Sequence, residues 1–349
     1  MRELLEFYRD KRVLLTGHTG FKGAWLTEIL LLSGAEVCGY ALPPEEGGLF
    51  DRLQLAQRVP SVAGDVRDLE RLRDAFRTFS PEIVLHLAAQ PLVRESYRDP
   101  AGTYSTNVMG TVHILECVRE SDTVRSFLNV TTDKVYQNRE WVWGYREYER
   151  LDGEEPYANS KSCSELVTGC YHRSFLKEKG VAVSTARAGN AIGGGDFAND
   201  RIIPDCVRAA GRGESVVLRN PGAVRPYQHV LELLGAYLLI AKAQYEDKGL
   251  SGSYNVGPSE ADCVTTWELA ELFCRFWGQG ASCQAGGDKG PRESNLLLLD
   301  SSKIRSVLGW RPNWNLERGV EQTVRWYKSA QNGGARAETE RQIREFFGI

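Results

Sequence analysis

Short apolar runs alternate with helical patterns through the first two thirds of the chain. The runs are rich in β-branched residues and leucine, as strands buried on both faces of a parallel sheet are. Strands alternating with helices pair in parallel through right-handed crossovers, so the pattern predicts a doubly wound α/β sheet. The predicted strands lie in RVLLTG (12–17), EVCGYAL (36–42), SVAGDV (61–66), IVLHLAA (83–89), SFLNVTT (126–132) and VAVSTARAGN (181–190).

The segments between these runs have the three- and four-residue apolar spacing of amphipathic helices. LERLRDAFRTF (69–79) and TNVMGTVHILECVRES (106–121) show it most clearly. The uncharged stretch 233–241 is only half of a bilayer span, so a buried helix is predicted there. The polar segment SAQNGGARAETE (329–340) is predicted to be a solvated linker.

The rhythm changes after about residue 190 to glycine-rich loops, isolated helices and short strands. A chain of 349 residues exceeds one minimal core. We therefore expect a Rossmann-type cofactor-binding domain at 1–190, to which a segment at about 226–256 returns. Residues 191–349 are expected to form mainly a smaller, mixed α/β substrate-binding lobe.

Composition excludes several classes of protein. Hydrophobic residues make up 42% and charged residues 26% of the chain, the ordinary balance of a globular protein. The net charge of -3 and the scattered Arg and Lys argue against nucleic-acid binding, while one anionic ligand is compatible with them. The eight cysteines include no C-x-x-C, and no signal-peptide or membrane-spanning pattern is present, so reduced thiols in the cytoplasm are expected.

A glycine-rich turn follows the first predicted strand. The stretch LLTGHTGFKGAWL (14–26) places Gly17, Gly20 and Gly23 three residues apart, between a strand and a helix. Without Cβ atoms in the way, N–H groups at the helix N-terminus can face a pyrophosphate, so a dinucleotide site is predicted. The alternative is a tight turn with close helix–strand packing.

A second motif, YANSK, places Tyr157 and Lys161 one helical turn apart. A tyrosine with its ordinary pKa of about 10 is a poor base at neutral pH unless a nearby cation favours the phenolate. Lys161 is predicted to supply that cation. The alternative is a pair of exposed helix residues.

Together, the G-x-x-G-x-x-G turn and the Tyr-x-x-x-Lys pair resemble the extended branch of the short-chain dehydrogenase/reductase superfamily. The resemblance implies NAD as cofactor, proton exchange between Tyr157 and a sugar hydroxyl, and Lys161 on the nicotinamide ribose. GDVRD (64–68) resembles the adenine-contacting segment and HLAAQ (86–90) the strand and turn beneath the nicotinamide side. The implied cofactor contacts are Gly17, Gly20, Phe21, Lys22, Gly23, Asp65, Val66, Leu87, Ala88, Ala89, Tyr157 and Lys161.

A third motif narrows the resemblance to the nucleotide-sugar 4,6-dehydratases. The segment VTTDKVYQNREWVWGYRE (130–147) offers Thr132, Asp133 and Lys134 after a predicted strand. Thr-Asp-Glu at this place marks the dTDP-glucose type, whereas Thr-Asp-Lys resembles the CDP-glucose 4,6-dehydratases. The implied reaction converts CDP-glucose to its 4-keto-6-deoxy product in deoxysugar biosynthesis, including that of lipopolysaccharide O-antigen.

Within that reaction, Tyr157 takes the O4 proton as the cofactor accepts hydride from C4, and water is then eliminated across C5 and C6. Elimination needs an acid and a base. Protonated Asp133 is implied as the acid. Lys134 stands where the dTDP enzymes carry a glutamate base, which requires burial or cationic neighbours that lower its pKa. The alternative is a charged lysine that stabilises the enolate, and of the two the base is favoured.

The resemblance extends over most of the chain and implies a set of substrate contacts. Guanidinium groups suit a diphosphate, and Asn190 is expected near the sugar or its phosphates. Asn107 is expected near the site, and 202–204 along the nucleotide pocket. A homodimer or dimer of dimers is implied, paired through the helices in 106–120 and 160–178. The implied substrate-binding residues are Asn190, Arg201, Arg219, Arg225 and Arg292.

The sequence departs from the family pattern at the end of the second predicted strand, and three other kinds of protein are alternatives to the dehydratase. EVCGYALPP carries no acidic residue for the cofactor's ribose, and Tyr40 and Leu42 stand in that neighbourhood, so weaker NAD binding is expected. A related epimerase or decarboxylase would not need Asp133 and Lys134, and a non-catalytic Rossmann protein would not need Tyr157 either. A metal site is not expected, because the five histidines show no paired ligand spacing.

Overall fold

The computed structural model describes residues 1–287 and 294–349 of the chain. Its strands are β1 (Arg12–Thr16), β2 (Glu36–Ala41), β3 (Ser61–Ala63), β4 (Ile83–His86), β5 (Ser126–Val130), β6 (Ala182–Ala188), β7 (Ala191–Ile192), β8 (Val216–Leu218), β9 (Val224–Pro226), β10 (Gln228–His229), β11 (Ser253–Val256), β12 (Cys263–Thr265) and β13 (Cys283–Ala285). Its α-helices are α1 (Arg2–Tyr8), α2 (Phe21–Ser33), α3 (Leu49–Arg52), α4 (Leu69–Phe79), α5 (Val93–Arg98), α6 (Pro100–Tyr104), α7 (Gly110–Glu120), α8 (Pro156–Tyr171), α9 (Lys177–Lys179), α10 (Ile202–Gly211), α11 (Val230–Glu246), α12 (Thr266–Trp277), α13 (Ser302–Leu308), α14 (Leu316–Ala330) and α15 (Ala335–Phe347).

The centre of the molecule is a seven-stranded parallel sheet with the strand order β11-β6-β5-β4-β1-β2-β3. All six predicted strands belong to it, and the predicted doubly wound Rossmann-type α/β class is confirmed. The strand order reverses direction between β1 and β4. In such sheets, ligands bind beyond the carboxyl ends of the strands at this reversal, which locates the expected site.

Alternation along the central strands explains why helices cover both faces of the sheet. On β1, Val13 and Leu15 pack into the hydrophobic cluster that includes the buried face of α11, while Leu14 packs with residues of α4 and α7 on the other side. Successive side chains of a strand point to opposite faces, so a strand that is apolar throughout must be covered twice. The cofactor turn after β1 is therefore anchored in a fully buried strand.

Two helix predictions are confirmed and one linker prediction is wrong. Helix α4 spans the predicted 69–79, and the apolar stretch 233–241 lies inside the buried helix α11. The predicted linker at 329–340 instead contains the end of α14, a short turn and the first half of α15. Thr339 of that segment is buried and accepts a hydrogen bond of 2.7 Å from Trp326 Nε1. The polar composition predicted a linker, but polar residues such as Arg336 and Glu340 form an ion pair on the exposed surface of α15.

Small sheets and helices of the later half lie beside the carboxyl edge of the main sheet. Strand β9 pairs antiparallel with β12, and β8 pairs parallel with β13. Helices α10 and α12 pack on this part, whereas α11 and β11 belong to the main sheet. We propose that the cofactor domain comprises 1–190 with a returning segment at about 226–256, and that 191–349 form mainly the second lobe.

Across the described part of the chain, no helix is both long enough and apolar enough to cross a membrane. The longest apolar helix, α11, has 17 residues and is buried against the sheet.

Candidate active site

A cavity of about 1450 Å³ runs along the carboxyl ends of the main strands. Its walls come from the turns that follow β1 to β6 and from the loops of the second lobe around β7, β8 and β9. All the predicted catalytic residues line it. The predicted cofactor contacts line it as well, together with Asn190, Arg201, Arg219 and Arg225. The remaining predicted contact, Arg292, lies outside the described residues.

The glycine turn opens the cofactor end of this cavity. A Cβ on Gly17, whose φ is +74°, would lie 2.8 Å from the Ala88 backbone nitrogen, and one on Gly23 would lie 2.0 Å from the Gly17 carbonyl oxygen. These two glycines allow close backbone packing. Gly20 differs, because its Cβ would meet only the Gly17 oxygen, at 3.6 Å, so space next to it is open. The unbonded N–H groups at the start of α2 fit a pyrophosphate there.

The turns after β2 and β3 shape the end of the cavity expected to hold the adenosine. The Asp65 carboxylate is bonded to Arg67, which lowers the pKa of Asp65, and the Asp65 carbonyl oxygen accepts a 2.8 Å hydrogen bond from the Tyr40 hydroxyl. Tyr40 therefore braces the adenine segment rather than contacting the ribose. Leu42 and Glu45 line the cavity beside the turn.

The turn after β4 is held from behind by Asn107. Its Oδ1 accepts a 2.8 Å hydrogen bond from the Gln90 N–H, and its Nδ2 donates to the Ser160 hydroxyl on α8. Asn107 is thus buried behind the cavity wall, whereas Leu87 and Ala88 line the cavity.

Helix α8 carries both residues of the Tyr-x-x-x-Lys motif. Its N-terminus is fixed by Glu155, whose carboxylate accepts hydrogen bonds from the N–H groups of Tyr157 and Ala158, and by a proline at the first helical position. Lys161 Nζ donates a 3.1 Å hydrogen bond to the carbonyl oxygen of Val130 at the end of β5. The helix is thereby locked against the strand that carries the third motif.

Burial dominates the charge states of these two residues. Desolvation raises the pKa of Tyr157 to about 12, with smaller effects of Thr132, which lowers it, and of Asp133, which raises it. Burial thus acts against the predicted acidification of the phenol by Lys161, which stays a prediction. Desolvation, together with the charge of Lys22, lowers the pKa of Lys161 to about 8, so its ammonium is weakened as a stabiliser of the phenolate.

The third motif begins where β5 ends. Asp133 is 2% exposed, and its Oδ1 accepts a 2.9 Å hydrogen bond from the Thr132 hydroxyl. Its Oδ2 is buried with no hydrogen-bond partner. Desolvation raises the pKa of Asp133, against opposing effects of Lys134, Thr132, Arg225 and Lys22. These features fit a carboxyl group kept in its acid form.

Lys134 is half-buried next to carboxyl groups. Its charge acts on Asp133 and on Glu155, lowering the pKa of each against the larger effect of burial. The sequence-based preference for a neutral base needed deep burial or cationic neighbours. Instead, the structure places Lys134 beside the carboxyl groups of Asp133 and Glu155.

Lys22 interacts with more charged groups than the cofactor contact that the resemblance implied. It lies in the first turn of α2, yet its ammonium interacts with Asp133, Asp196 and Arg201 as well as with Lys161. Desolvation and the charge of Arg201 lower its pKa to about 8, against the opposing effects of Asp133 and Asp196. The cavity thus has a cation between its cofactor and substrate ends.

The substrate end carries a group of arginines held by acidic residues. Arg201 pairs with Asp196 at 2.9 Å, and Arg219 with Asp200 at 2.6 Å. Arg225 is buried and donates hydrogen bonds to the carbonyl oxygens of Val224 and Ser294. These guanidinium groups line the cavity and could hold a diphosphate.

Three residues at the site were missed by sequence reasoning. Arg94 on α5 lines the cavity 3.6 Å from Asp200. Asp196 orients Arg201, and Glu155 caps α8 beside Lys134. Only Glu155 had a signal, because an acidic residue followed by proline marks a helix start.

A search of known families matches residues 14–323 to the family model described as GDP-mannose 4,6 dehydratase. The chain belongs to this family. A curated relative, the CDP-glucose 4,6-dehydratase of Salmonella typhimurium (strain LT2), is 46% identical over 330 residues, which cover 93% of this chain and 92% of the relative. The dTDP-glucose 4,6-dehydratase of Xanthomonas campestris is 28% identical over 91% of this chain and 93% of its own.

Solved structures have the same architecture. The UDP-glucose 4-epimerase of Thermus thermophilus in complex with NAD has a TM-score of 0.80 and 27% identity, over 91% of this chain and 99% of its own. The dTDP-glucose 4,6-dehydratase of Streptomyces venezuelae with NAD bound has a TM-score of 0.77 and 26% identity, over 92% and 98%. The structural neighbours therefore include an epimerase and a 4,6-dehydratase.

Proposed function

We propose that this chain is an NAD-dependent CDP-glucose 4,6-dehydratase, a hydro-lyase that forms CDP-4-keto-6-deoxy-D-glucose and water. The observation that carries the proposal is the meeting of Thr132, Asp133 and Lys134 with Tyr157 and Lys161 in one cavity that also contains the glycine turn. The 46% identity to the Salmonella enzyme supports cytidine as the base.

The reaction needs three steps at the sugar: oxidation at C4, elimination of water across C5 and C6, and reduction at C6. Different residues serve different steps. When bound, NAD accepts hydride from C4 and returns it to C6. Tyr157 takes the O4 proton, and the positive charge of a bound nicotinamide would offset the burial that raises the pKa of its phenol. Asp133, kept protonated by burial, donates to the departing C6 hydroxyl through its unpartnered Oδ2. Lys161 holds the nicotinamide ribose.

Lys134 acts on the C5 side of the sugar. In our proposal its neutral amine takes the C5 proton, and the ammonium so formed stabilises the negative charge that this loss creates.

The substrate is held by the arginines of the second lobe. We propose that Arg225 and Arg201 face the diphosphate, with Arg292 and Arg219 as further contacts and Asn190 near the sugar. The cavity reaches all the described members of this set. The Ile202–Pro204 turn lines the same end and is assigned to the nucleotide.

NAD binding involves the whole glycine turn and the strand ends beside it. Gly20, Phe21 and Lys22 would hold the pyrophosphate at the N-terminus of α2. Asp65 and Val66 would contact the adenine, and residues 87–89 would contact the nicotinamide side of the cofactor. The absence of an acidic residue directly at the end of β2 supports the expectation of weaker binding.

A related nucleotide-sugar epimerase is the second candidate. It is favoured by the likeness to the UDP-glucose 4-epimerase of Thermus thermophilus. Epimerisation needs no acid at C6, whereas this chain buries Asp133 with one oxygen free of partners. We therefore rank the dehydratase first.

The assay is incubation of the protein, supplied with NAD, with CDP-glucose, dTDP-glucose and GDP-mannose in parallel. The 4-keto-6-deoxy product is followed by its absorbance in alkali. We expect turnover of CDP-glucose alone. Absence of product from all three sugars would overturn the dehydratase assignment, and turnover of another sugar alone would overturn the choice of base.

We further propose a cytoplasmic homodimer, or a dimer of such dimers, that serves deoxysugar biosynthesis such as that of O-antigen. Apolar side chains on and beside α7 and α8 are exposed in the single chain: Met109 by 46%, Leu166 by 59% and Phe175 by 47%. Pairing of these helices between two copies would cover them.

A further inference from the structure

The proposed reaction leaves two active-site groups in altered protonation states. Tyr157 gains the proton of the O4 hydroxyl, and Asp133 loses one to the departing C6 hydroxyl, while the C5 proton is removed and later replaced. After each turnover, Tyr157 is one proton richer and Asp133 one proton poorer. A proton must pass from the phenol to the carboxylate before the next sugar can react.

Thr132 lies between these two groups. Its Oγ1 donates a 2.9 Å hydrogen bond to Asp133 Oδ1. Thr132 and Tyr157 line the same cavity, and a hydrogen-bonding interaction with Thr132 lowers the pKa of the phenol. A hydroxyl can accept one hydrogen bond while it donates another. The side chain is held in place because Oγ1 also accepts from the Lys134 N–H at 3.4 Å.

Two of the three groups are shielded from water, whereas Tyr157 is partly exposed to the cavity. Thr132 is 6% exposed and Asp133 2% exposed. Cationic groups face Asp133, and charged groups of both signs face Tyr157. Those acting on Asp133 are Lys134, Arg225 and Lys22, and those acting on Tyr157 are Asp133, Glu155 and Arg201.

The two acids are also coupled in a way that suits sharing of one proton. An ionised Asp133 disfavours the Tyr157 phenolate, so the pair resists losing both protons at once. Because burial disfavours the carboxylate as well, a proton delivered to Asp133 is retained there.

We propose that Thr132 is a proton relay that resets the active site by returning the proton from Tyr157 to Asp133. The phenol O–H bond breaks as a new O–H bond forms on Thr132 Oγ1, while the original Thr132 O–H bond breaks and one forms on Asp133 Oδ1. The products are a phenolate, a neutral threonine and a carboxylic acid. Rotation of the carboxyl group then presents the proton on the side of the leaving hydroxyl. This inference rests on the elimination step of the proposed function.

The test compares Thr132→Ser, which retains the relay hydroxyl, with Thr132→Val, which has the same shape without it. Enzyme supplied with NAD is mixed rapidly with excess CDP-glucose, and product per active site is followed in time. We expect T132V to show a burst of up to one equivalent followed by a steady state at least about tenfold slower than the burst. We expect no burst from T132S.

A further expectation separates the relay from a role in positioning O4. Small buffer acids should accelerate the slow phase of T132V, because protons then come from solution, and should leave the wild-type rate unchanged. Slowing of the burst and the steady state by the same factor, or a wild-type rate that rises with buffer concentration, would overturn the relay.

The wild-type measurement keeps the inference testable if T132V does not fold or does not bind NAD. Failure of the relay leaves the wild-type protein turning over CDP-glucose. Failure of the proposed function would instead leave every form of the protein, wild type included, without the 4-keto-6-deoxy product.

Discussion

Two glycines of the cofactor turn, Gly20 and Gly23, should respond to alanine in opposite ways. A Cβ on Gly23 would lie 2.0 Å from the Gly17 carbonyl oxygen and 2.6 Å from the His18 Cα. Both neighbours are backbone atoms beside a fully buried strand, so they cannot give way without shifting the turn. A Cβ on Gly20 meets only one atom, at the ordinary distance of 3.6 Å.

The expected free energies follow from these contacts. Overpacking costs about 3 kcal/mol where the neighbours are fixed, and alanine inside a helix regains about 1 kcal/mol over glycine. Gly23→Ala should therefore lower the free energy of unfolding by about 2 kcal/mol or more. For Gly20, with φ -80° and ψ 174° at the N-cap of α2, the loss of a favoured cap residue and the reduced freedom of the unfolded chain offset each other to within about 0.5 kcal/mol.

Affinity for NAD should instead respond directly to the change at Gly20. The methyl group that Gly20→Ala adds would project into the open space where the pyrophosphate is expected. The substitution should therefore weaken NAD binding about tenfold or more, a change of about 1.4 kcal/mol. The assays are urea unfolding of the NAD-free protein and calorimetric titration with NAD. If G20A destabilises as much as G23A, or if G23A unfolds like the wild type, the steric reasoning is refuted.

The remaining predictions concern Lys134, Glu232 and the exposed helix faces. Lys134→Met should retain oxidation at C4, seen as reduced cofactor at its absorbance maximum, but lose exchange of the C5 proton with solvent; unchanged exchange would remove Lys134 from that step. Burial raises the pKa of Glu232 to about 7, above that of the unfolded chain, so its neutral form stabilises the fold at low pH and this stabilisation is lost as pH rises from about 4.5 through 7. Relative to Glu232→Gln, the wild type should lose about 3 kcal/mol over that window in urea unfolding, and a constant difference would contradict the assignment. The double variant Leu166→Glu with Phe175→Glu should sediment as a monomer, whereas Val217→Glu, an equally exposed site elsewhere, should leave the dimer intact; a monomeric wild type would contradict the proposed pairing.

Local sequence patterns predicted the fold well because this fold is built from locally consistent units. The strand β1, the turn at Gly17 and the helix α2 follow one another within a single segment, and each carries its own signal. The linker at 329–340 failed for the opposite reason. Burial of Thr339 depends on Trp326 of the preceding helix, a contact that no local composition records.

The active site was predictable where a motif fixed the spacing. Tyr157 and Lys161 lie one helical turn apart, so their meeting in the cavity follows from the helix itself. The charge states were not predictable, because they depend on burial and on residues distant in sequence. The Tyr157 phenol is dominated by desolvation, and Lys134 neighbours Glu155 rather than a cation. Arg94 and Asp200 meet only through the tertiary fold.

The central claim is that hydride leaves C4 and returns to C6 of the same sugar on one retained cofactor. The direct measurement is turnover of CDP-glucose carrying deuterium at C4, followed by NMR of the product. We predict deuterium at C6 of the 4-keto-6-deoxy sugar, with no loss to added unlabelled NAD. Deuterium that remains at C4, as in an epimerase, or that appears on the added cofactor would contradict the account.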